Sequence, residues 1–133
     1  VIKPCRNPYL YGIYKNKKDL IALPITEVVT AKEFFDFEAK YTPGLADEIT
    51  PGRIHPNDLH KLEHLAKEIY NKLNCKGIVR MDFILEESSG NFYFIELNSV
   101  PGLTENSLVP KQIKAAGFTM KEFLTELIEI ALS

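Results

Sequence analysis

Two short spacings carry the chemistry open to this chain: Arg80-Met81-Asp82 and Glu96-Leu97-Asn98. Successive side chains of a strand alternate between faces, so Arg80 shares a face with Asp82, and Glu96 with Asn98. If a hairpin sets Asp82 opposite Glu96, Arg80 falls opposite Asn98 and all four converge on one patch. Like charges directly opposite each other destabilise a sheet. The Asp82–Glu96 pair therefore makes sense around a cation. Oxygen-only ligands select a hard ion, and two carboxylates with an amide oxygen suit Mg²⁺ held together with substrate phosphates. The other reading is a hairpin with an ordinary polar outer face and a surface Arg–Asp pair. Spacing alone leaves both open.

The register is decided at the turn. A two-residue loop, Ser89-Gly90, pairs Ser88 with Asn91 and puts Asp82 opposite Leu97. Glu96 then faces away, because a one-residue slip flips every side chain. A three-residue loop, Ser88-Ser89-Gly90, pairs Glu87 with Asn91 and puts Asp82 opposite Glu96. Such a loop wants a left-handed residue at its end, and Gly90 takes that conformation without a Cβ penalty. The expectation is the three-residue turn, with Gly90 at positive φ.

The elements that must position this hairpin follow from periodicity. Gly77–Glu86 and Phe92–Leu97 read as strands. Leu10–Lys15 and Leu20–Val29 read as two more, joined by the polar turn Asn16-Lys17-Lys18-Asp19, with an edge or bulge expected at Pro24. A short strand at Val1–Ile2 would be stopped by Pro4. From Thr30 to Pro56 periodicity fails and Pro and Gly recur, which reads as one long loop. Pro56–Leu73 is a helix with an apolar stripe of Leu59, Leu62, Ala66, Ile69, Tyr70 and Leu73, Pro56 at its first position and Asn74 at its end. Leu108–Ala116 is a second helix, followed by Gly117. Thr119-x-x-Glu122 is a capping box for a third, whose stripe is Met120, Phe123, Leu124, Leu127, Ile128 and Ala131. The class expected is α+β, an antiparallel sheet with helices packed on one face.

Composition narrows the function. The 133 residues fit one compact domain or a piece of a larger one, and the formal charge of −2 argues against a nucleic-acid binder. Two cysteines, Cys5 and Cys75, give neither a zinc pattern nor a disulfide framework. No apolar run approaches a membrane span, and no signal peptide is visible, so the expected setting is the cytoplasm. The first residue is Val1, so a fragment or a processed product is expected. The Lys15, Lys17 and Lys18 cluster reads as a solvated loop tip. His60 and His64 lie four apart on the first helix without the carboxylate of a zinc motif, and read as a solvated face.

Together, Gly77-Ile78-Val79-Arg80-Met81-Asp82-Phe83, Phe94-Ile95-Glu96-Leu97-Asn98-Ser99-Val100-Pro101-Gly102-Leu103-Thr104 and Ser107-Leu108-Val109-Pro110 resemble the C-terminal signature of D-alanine–D-alanine ligases. Ala115-Ala116-Gly117-Phe118 and the last helix continue the likeness, and Phe35-Asp36-Phe37-Glu38-Ala39-Lys40-Tyr41 resembles the family's mobile loop. The resemblance runs from about Gly12 onward and implies the C-terminal half of an ATP-grasp domain. It implies ATP and D-alanine as substrates, joined through an acylphosphate for peptidoglycan synthesis. It implies two Mg²⁺ ions, with Mn²⁺ as a substitute, held by Asp82, Glu96 and Asn98. Arg80 and the amide of Gly102 match the oxyanion site. Ser107 and Leu108 match the carboxylate site of the second D-alanine, in keeping with their place at a helix N-terminus, a ready anion site. Lys40 matches a loop residue that reaches the γ-phosphate, and Tyr41 one that latches the loop.

The sequence departs from the family's pattern on the nucleotide side. Val1-Ile2-Lys3-Pro4 resembles the strand bearing an ATP-binding lysine, which would make that residue Lys3. Only Cys5–Tyr11 then separate it from the Gly12-Ile13-Tyr14 strand, and Pro8 stands where the family has a ribose-binding glutamate. The N-terminal substrate domain and most of the ATP-clamping subdomain are expected elsewhere, on a missing portion or through a homodimer. A non-catalytic remnant or another ATP-grasp carboxylate–amine ligase is the alternative.

Overall fold

The computed structural model describes residues 7–30 and 46–133. Lys3, Lys40, Tyr41, Cys5 and the expected strand at Val1–Ile2 lie outside the described residues. The strands are β1 (Pro8–Lys15), β2 (Leu20–Ala22), β3 (Thr26–Thr30), β4 (Ala46–Ile49), β5 (Ile78–Glu86) and β6 (Asn91–Asn98). The helices are α1 (Pro56–Lys72), α2 (Leu108–Ala115) and α3 (Met120–Leu132). All strands join one antiparallel sheet in the order β4-β3-β1-β5-β6, with β2 also on β1. Among the described residues no helix is long and apolar enough to cross a membrane.

β1 and β5 are central, and both of their faces carry buried side chains. Tyr9, Tyr11 and Ile13 of β1 pack with Val79, Met81, Phe83 and Leu85 of β5 against Leu62, Ala66 and Tyr70 of α1. On the opposite face Tyr14 and Ile78 pack with Val109 and Ile113 of α2 and Phe123 of α3. The α+β class and antiparallel sheet are as expected, but the helices divide between the two faces instead of sharing one. An amphipathic stripe states that a helix must be covered, not which side of the sheet covers it. The stripe of α3 is covered as far as Leu127: Phe123 is buried and Leu124 and Leu127 pack beside it, whereas Ile128 and Ala131 are exposed.

Two local readings change. The expected strand Leu20–Val29 is broken into β2 and β3, because Pro24 cannot donate a ladder hydrogen bond. β1 therefore pairs with β3 at Tyr9 and Leu10 and with β2 at Ile13–Lys15. The expected loop Thr30–Pro56 contains β4, a short polar strand on the sheet edge. The predicted turn at Asn16–Asp19 is present, with the Asn16 side-chain oxygen accepting from the amides of Lys18 and Asp19 at 2.8 and 2.6 Å.

The segment between β4 and α1 is fixed by Glu27. Its carboxylate accepts from Arg53 Nε at 2.9 Å, Arg53 Nη2 at 3.1 Å, the Arg53 amide at 3.1 Å and Asn7 Nδ2 at 3.1 Å. Burial by itself raises the Glu27 carboxyl. The bonds from Arg53 and Asn7 outweigh it and hold the group below the ordinary glutamate value. Tyr9 adds a hydrogen bond from its hydroxyl to the Arg53 carbonyl at 2.8 Å. α1 starts where Pro56 favours it, with His55 Nδ1 accepting from the Asn57 amide, and the chain leaves it through Asn74 at φ 52°. His60 and His64 are exposed on α1, as expected.

Candidate active site

β5 supplies Arg80 and Asp82, and β6 supplies Glu96 and Asn98. In the register Arg80 lies opposite Asn98 and Asp82 opposite Glu96. The four therefore share one face, the α2/α3 side of the sheet, at the end away from the β5–β6 turn. The route to that register differs from the one the turn implied. Glu86 pairs with Asn91, so the loop is four residues, Glu87–Gly90, and Gly90 sits at φ 72° as expected. Continued unbroken, that pairing would put Asp82 opposite Ile95 and turn Glu96 to the wrong face. The register shifts between Asp82 and Phe83, where Ile95 is the extra residue of a β-bulge. The bulge restores the phase that brings the two carboxylates together.

Within this patch Arg80 already engages the acids. Its Nε donates to Asp82 Oδ1 at 3.0 Å and its Nη2 to Asp82 Oδ2 at 3.3 Å. The same Nη2 lies 3.6 Å from Glu96 Oε1. The side chains of Arg80 and Asp82 are only 11% and 8% exposed, whereas that of Glu96 is 52% exposed. The result is a secluded two-point fork with a second carboxylate open to solvent beside it. Asn98 turns its oxygen to the Val100 amide at 3.0 Å, which shapes the loop after β6.

That loop leads to the second part of the patch. Pro101 is buried and Gly102 exposed. A Cβ on Gly102 would lie 2.9 Å from Ser107 Oγ, so any larger residue here would have to push the serine hydroxyl aside. Ser107 is the N-cap of α2, yet its hydroxyl makes no capping bond; it pairs instead with Thr104 Oγ1 at 2.6 Å. Leu108 begins the helix, half-buried. The first amides of α2 thus remain without a side-chain cap, and an anion at this end would meet the helix dipole.

Sequence reading missed what fastens α2. Gln112 is fully buried; its amide oxygen accepts from the Gly12 amide at 3.0 Å. Its nitrogen donates to the Leu10 carbonyl at 2.8 Å and to Thr26 Oγ1 at 2.9 Å. It fills the gap along β1 between β3 and β2. A Cβ on Gly12 would lie 2.6 Å from the Gln112 oxygen, so the glycine and glutamine fit as a pair. A glutamine among apolar helix positions, Val109 and Ile113, was the available signal.

Among the described residues no cluster of three or more His, Cys, Asp or Glu side chains forms a metal cage. Asp82, Glu96 and Asn98 offer two carboxylates and one amide, a donor set suited to a hard ion that keeps phosphate or water ligands. The guanidinium of Arg80 lies within ion-pair distance of both acids.

A family sequence model described as "D-ala D-ala ligase C-terminus" matches residues 10–129. The chain belongs to the D-alanine–D-alanine ligase family. A D-alanine–D-alanine ligase of Azobacteroides pseudotrichonymphae is 45% identical over 118 residues, covering 89% of this chain and 36% of the relative. One from Porphyromonas gingivalis is 42% identical over 129 residues, covering 97% and 38%. The fold matches that of the ligase from Bacillus anthracis complexed with ATP, with a TM-score of 0.76, 29% identity, and coverage of 96% of this chain and 40% of that one. A D-Ala:D-Ser ligase of Enterococcus faecalis matches with a TM-score of 0.74 and 28% identity, covering 93% and 36%. The chain therefore spans well under half the length of these family members.

Proposed function

We propose that this chain is the C-terminal catalytic portion of an ATP-dependent ligase that joins two D-alanines to D-alanyl-D-alanine through an acylphosphate, supplying peptidoglycan synthesis. The observation that carries the reading is the bulge-restored face on which Arg80, Asp82, Glu96 and Asn98 meet. Membership of the family and the ATP complex of a structural relative support ATP as the nucleotide.

Asp82, Glu96 and Asn98 are the residues that would hold Mg²⁺. The ions would neutralise the transferring phosphates, where catalysis is mostly positioning and electrostatics. Arg80 supplies a guanidinium donor for the negative charge that develops on the carbonyl oxygen as the second amine attacks, and the Gly102 amide a second donor. Ser107 and the open amides at the start of α2, from Leu108 on, hold the carboxylate of the second D-alanine. Lys3, Lys40 and Tyr41 are assigned to the nucleotide side. The first-substrate domain and most of the ATP clamp belong to a portion of the enzyme beyond this chain.

The test is D-alanine-dependent ADP release with Mg²⁺ and ATP, on the purified chain and on the chain joined to the N-terminal portion of the P. gingivalis relative. The joined protein should turn over. The chain alone should stay well below the ~1 s⁻¹ at the low end of usual enzyme rates, because a half-site cannot hold both substrates together. A folded joined protein that binds ATP yet releases no ADP with D-alanine would support the non-catalytic remnant. Release that needs a different amino acid would support another ATP-grasp ligase.

A further inference from the structure

We infer that Arg80 guards the metal site, occupying the carboxylates so that they take a divalent ion only when a polyphosphate draws the guanidinium away. This rests on the proposed metal role of Asp82 and Glu96 and adds a regulation of that same site. Nη2 of Arg80 is bonded to Asp82 Oδ2 at 3.3 Å and lies 3.6 Å from Glu96 Oε1. One nitrogen of Arg80 thus reaches both of the acids that would hold the ion. Both oxygens of Asp82 are engaged at once, through Nε and Nη2. Water cannot easily take over either partner, since both side chains are nearly buried.

A free dication entering this patch would have to break a secluded ion pair. It would also leave a guanidinium without a counter-charge a few ångströms from itself, and a buried unpaired charge is strongly disfavoured. A nucleotide polyphosphate removes that obstacle, because arginine pairs with phosphate through the same two-point fork that it uses for a carboxylate. The ion and the nucleotide therefore favour each other's binding, and the coupling is reciprocal. The arrangement also accounts for the stability of the sheet without a metal. Arg80 supplies the positive charge that facing Asp82 and Glu96 require.

The test measures Mn²⁺ binding to the whole chain without nucleotide, by the loss of the free-ion electron paramagnetic resonance signal. It compares the native sequence with Arg80→Met, Arg80→Lys, Asp82→Asn and the Arg80→Met/Asp82→Asn double variant. Circular dichroism checks folding. Removing one positive charge at this distance should tighten Mn²⁺ binding at least about tenfold in Arg80→Met, a conservative reading of a partly screened pair. The double variant should lose that gain. Arg80→Lys keeps the charge but cannot fork, and should tighten binding by about threefold; it carries the test if Arg80→Met does not fold. Asp82-dependent binding of equal or lower strength in the Arg80 variants would overturn the guard and leave the metal assignment standing. Binding that no Asp82 substitution alters, in either background, would overturn both.

Discussion

Among the described residues, two arginines fork onto carboxylates of this sheet, and the two forks do opposite things. Arg53 grips Glu27 with two side-chain bonds and its own backbone amide, and Asn7 adds another. Arg80 grips Asp82 with two bonds and shares one nitrogen with Glu96. Around Glu27 there is one acid and a surplus of donors. Around Arg80 one guanidinium is shared between two acids. The first fork closes a structure, fastening the segment after β4 to β3. The second lies on the face proposed to take a metal ion, where the guanidinium itself occupies the carboxylates. Sharing separates the two: several donors converge on Glu27, whereas one nitrogen of Arg80 is shared by Asp82 and Glu96.

That contrast can be broken in four ways, from the largest effect to the smallest. Asp82→Asn should abolish metal-dependent function, lowering Mn²⁺ affinity and ADP release in the joined protein by at least about a hundredfold. Even an outer partner of a metal ligand is commonly worth 10- to 100-fold. Its urea midpoint should fall too, because Arg80 loses its nearly buried partner; an unchanged Mn²⁺ affinity would place Asp82 with Glu27 as a purely structural acid. Glu27→Gln should act on stability alone, lowering it by about 1 kcal/mol, the low end for a charge-assisted bond because Arg53 is largely exposed. Mn²⁺ binding should be unchanged in that variant.

The third effect is a dependence on pH. Arg53 and Asn7 overcome the burial that alone would raise Glu27, and hold its carboxyl below the ordinary glutamate value. The stability it contributes is present above the unfolded-state value and is lost as pH falls through the lowered native one. Urea midpoints measured down to acid pH should fall more steeply for the native sequence than for Glu27→Gln; parallel curves would remove Glu27 from the account. The smallest effect is expected for Gly102→Ala. Its Cβ, 2.9 Å from Ser107 Oγ, should push the hydroxyl aside and raise KM for D-alanine severalfold with kcat nearly unchanged, the pattern of lost ground-state binding.

Much of the frame was legible because each level of the sequence agreed. The alternation of Val79, Met81, Phe83 and Leu85 marked the buried face of β5. The stripe of α1 held as far as Tyr70, Leu73 being exposed at the helix end, and the Thr119–Glu122 box of α3 held, with bonds of 3.1 and 2.9 Å. β4 was not legible, since Ala46-Asp47-Glu48-Ile49 has the composition of a loop and is a strand only because β3 offers it a partner. The bulge at Ile95 was also hidden. A period-two pattern fixes which residues alternate, but an extra residue is detected only by counting from both ends of the hairpin. Two errors of one residue, in the turn and at the bulge, cancelled and left the facing of Asp82 and Glu96 correct. The fork between Arg80 and Asp82 depends on side-chain torsions, which spacing does not set. Gln112 was passed over because a polar residue on a helix is normally read as facing water.

The most direct measurement of the central claim is the anomalous scattering of Mn²⁺ in crystals of the chain, joined to its relative's N-terminal portion, with a non-hydrolysable ATP analogue. The account predicts density about 2.1 Å from oxygens of Asp82, Glu96 and Asn98, a hard-ion distance, with Arg80 turned from Asp82 toward phosphate. Mn²⁺ bound elsewhere on the nucleotide, with the Arg80–Asp82 fork intact and Glu96 in solvent, would contradict it.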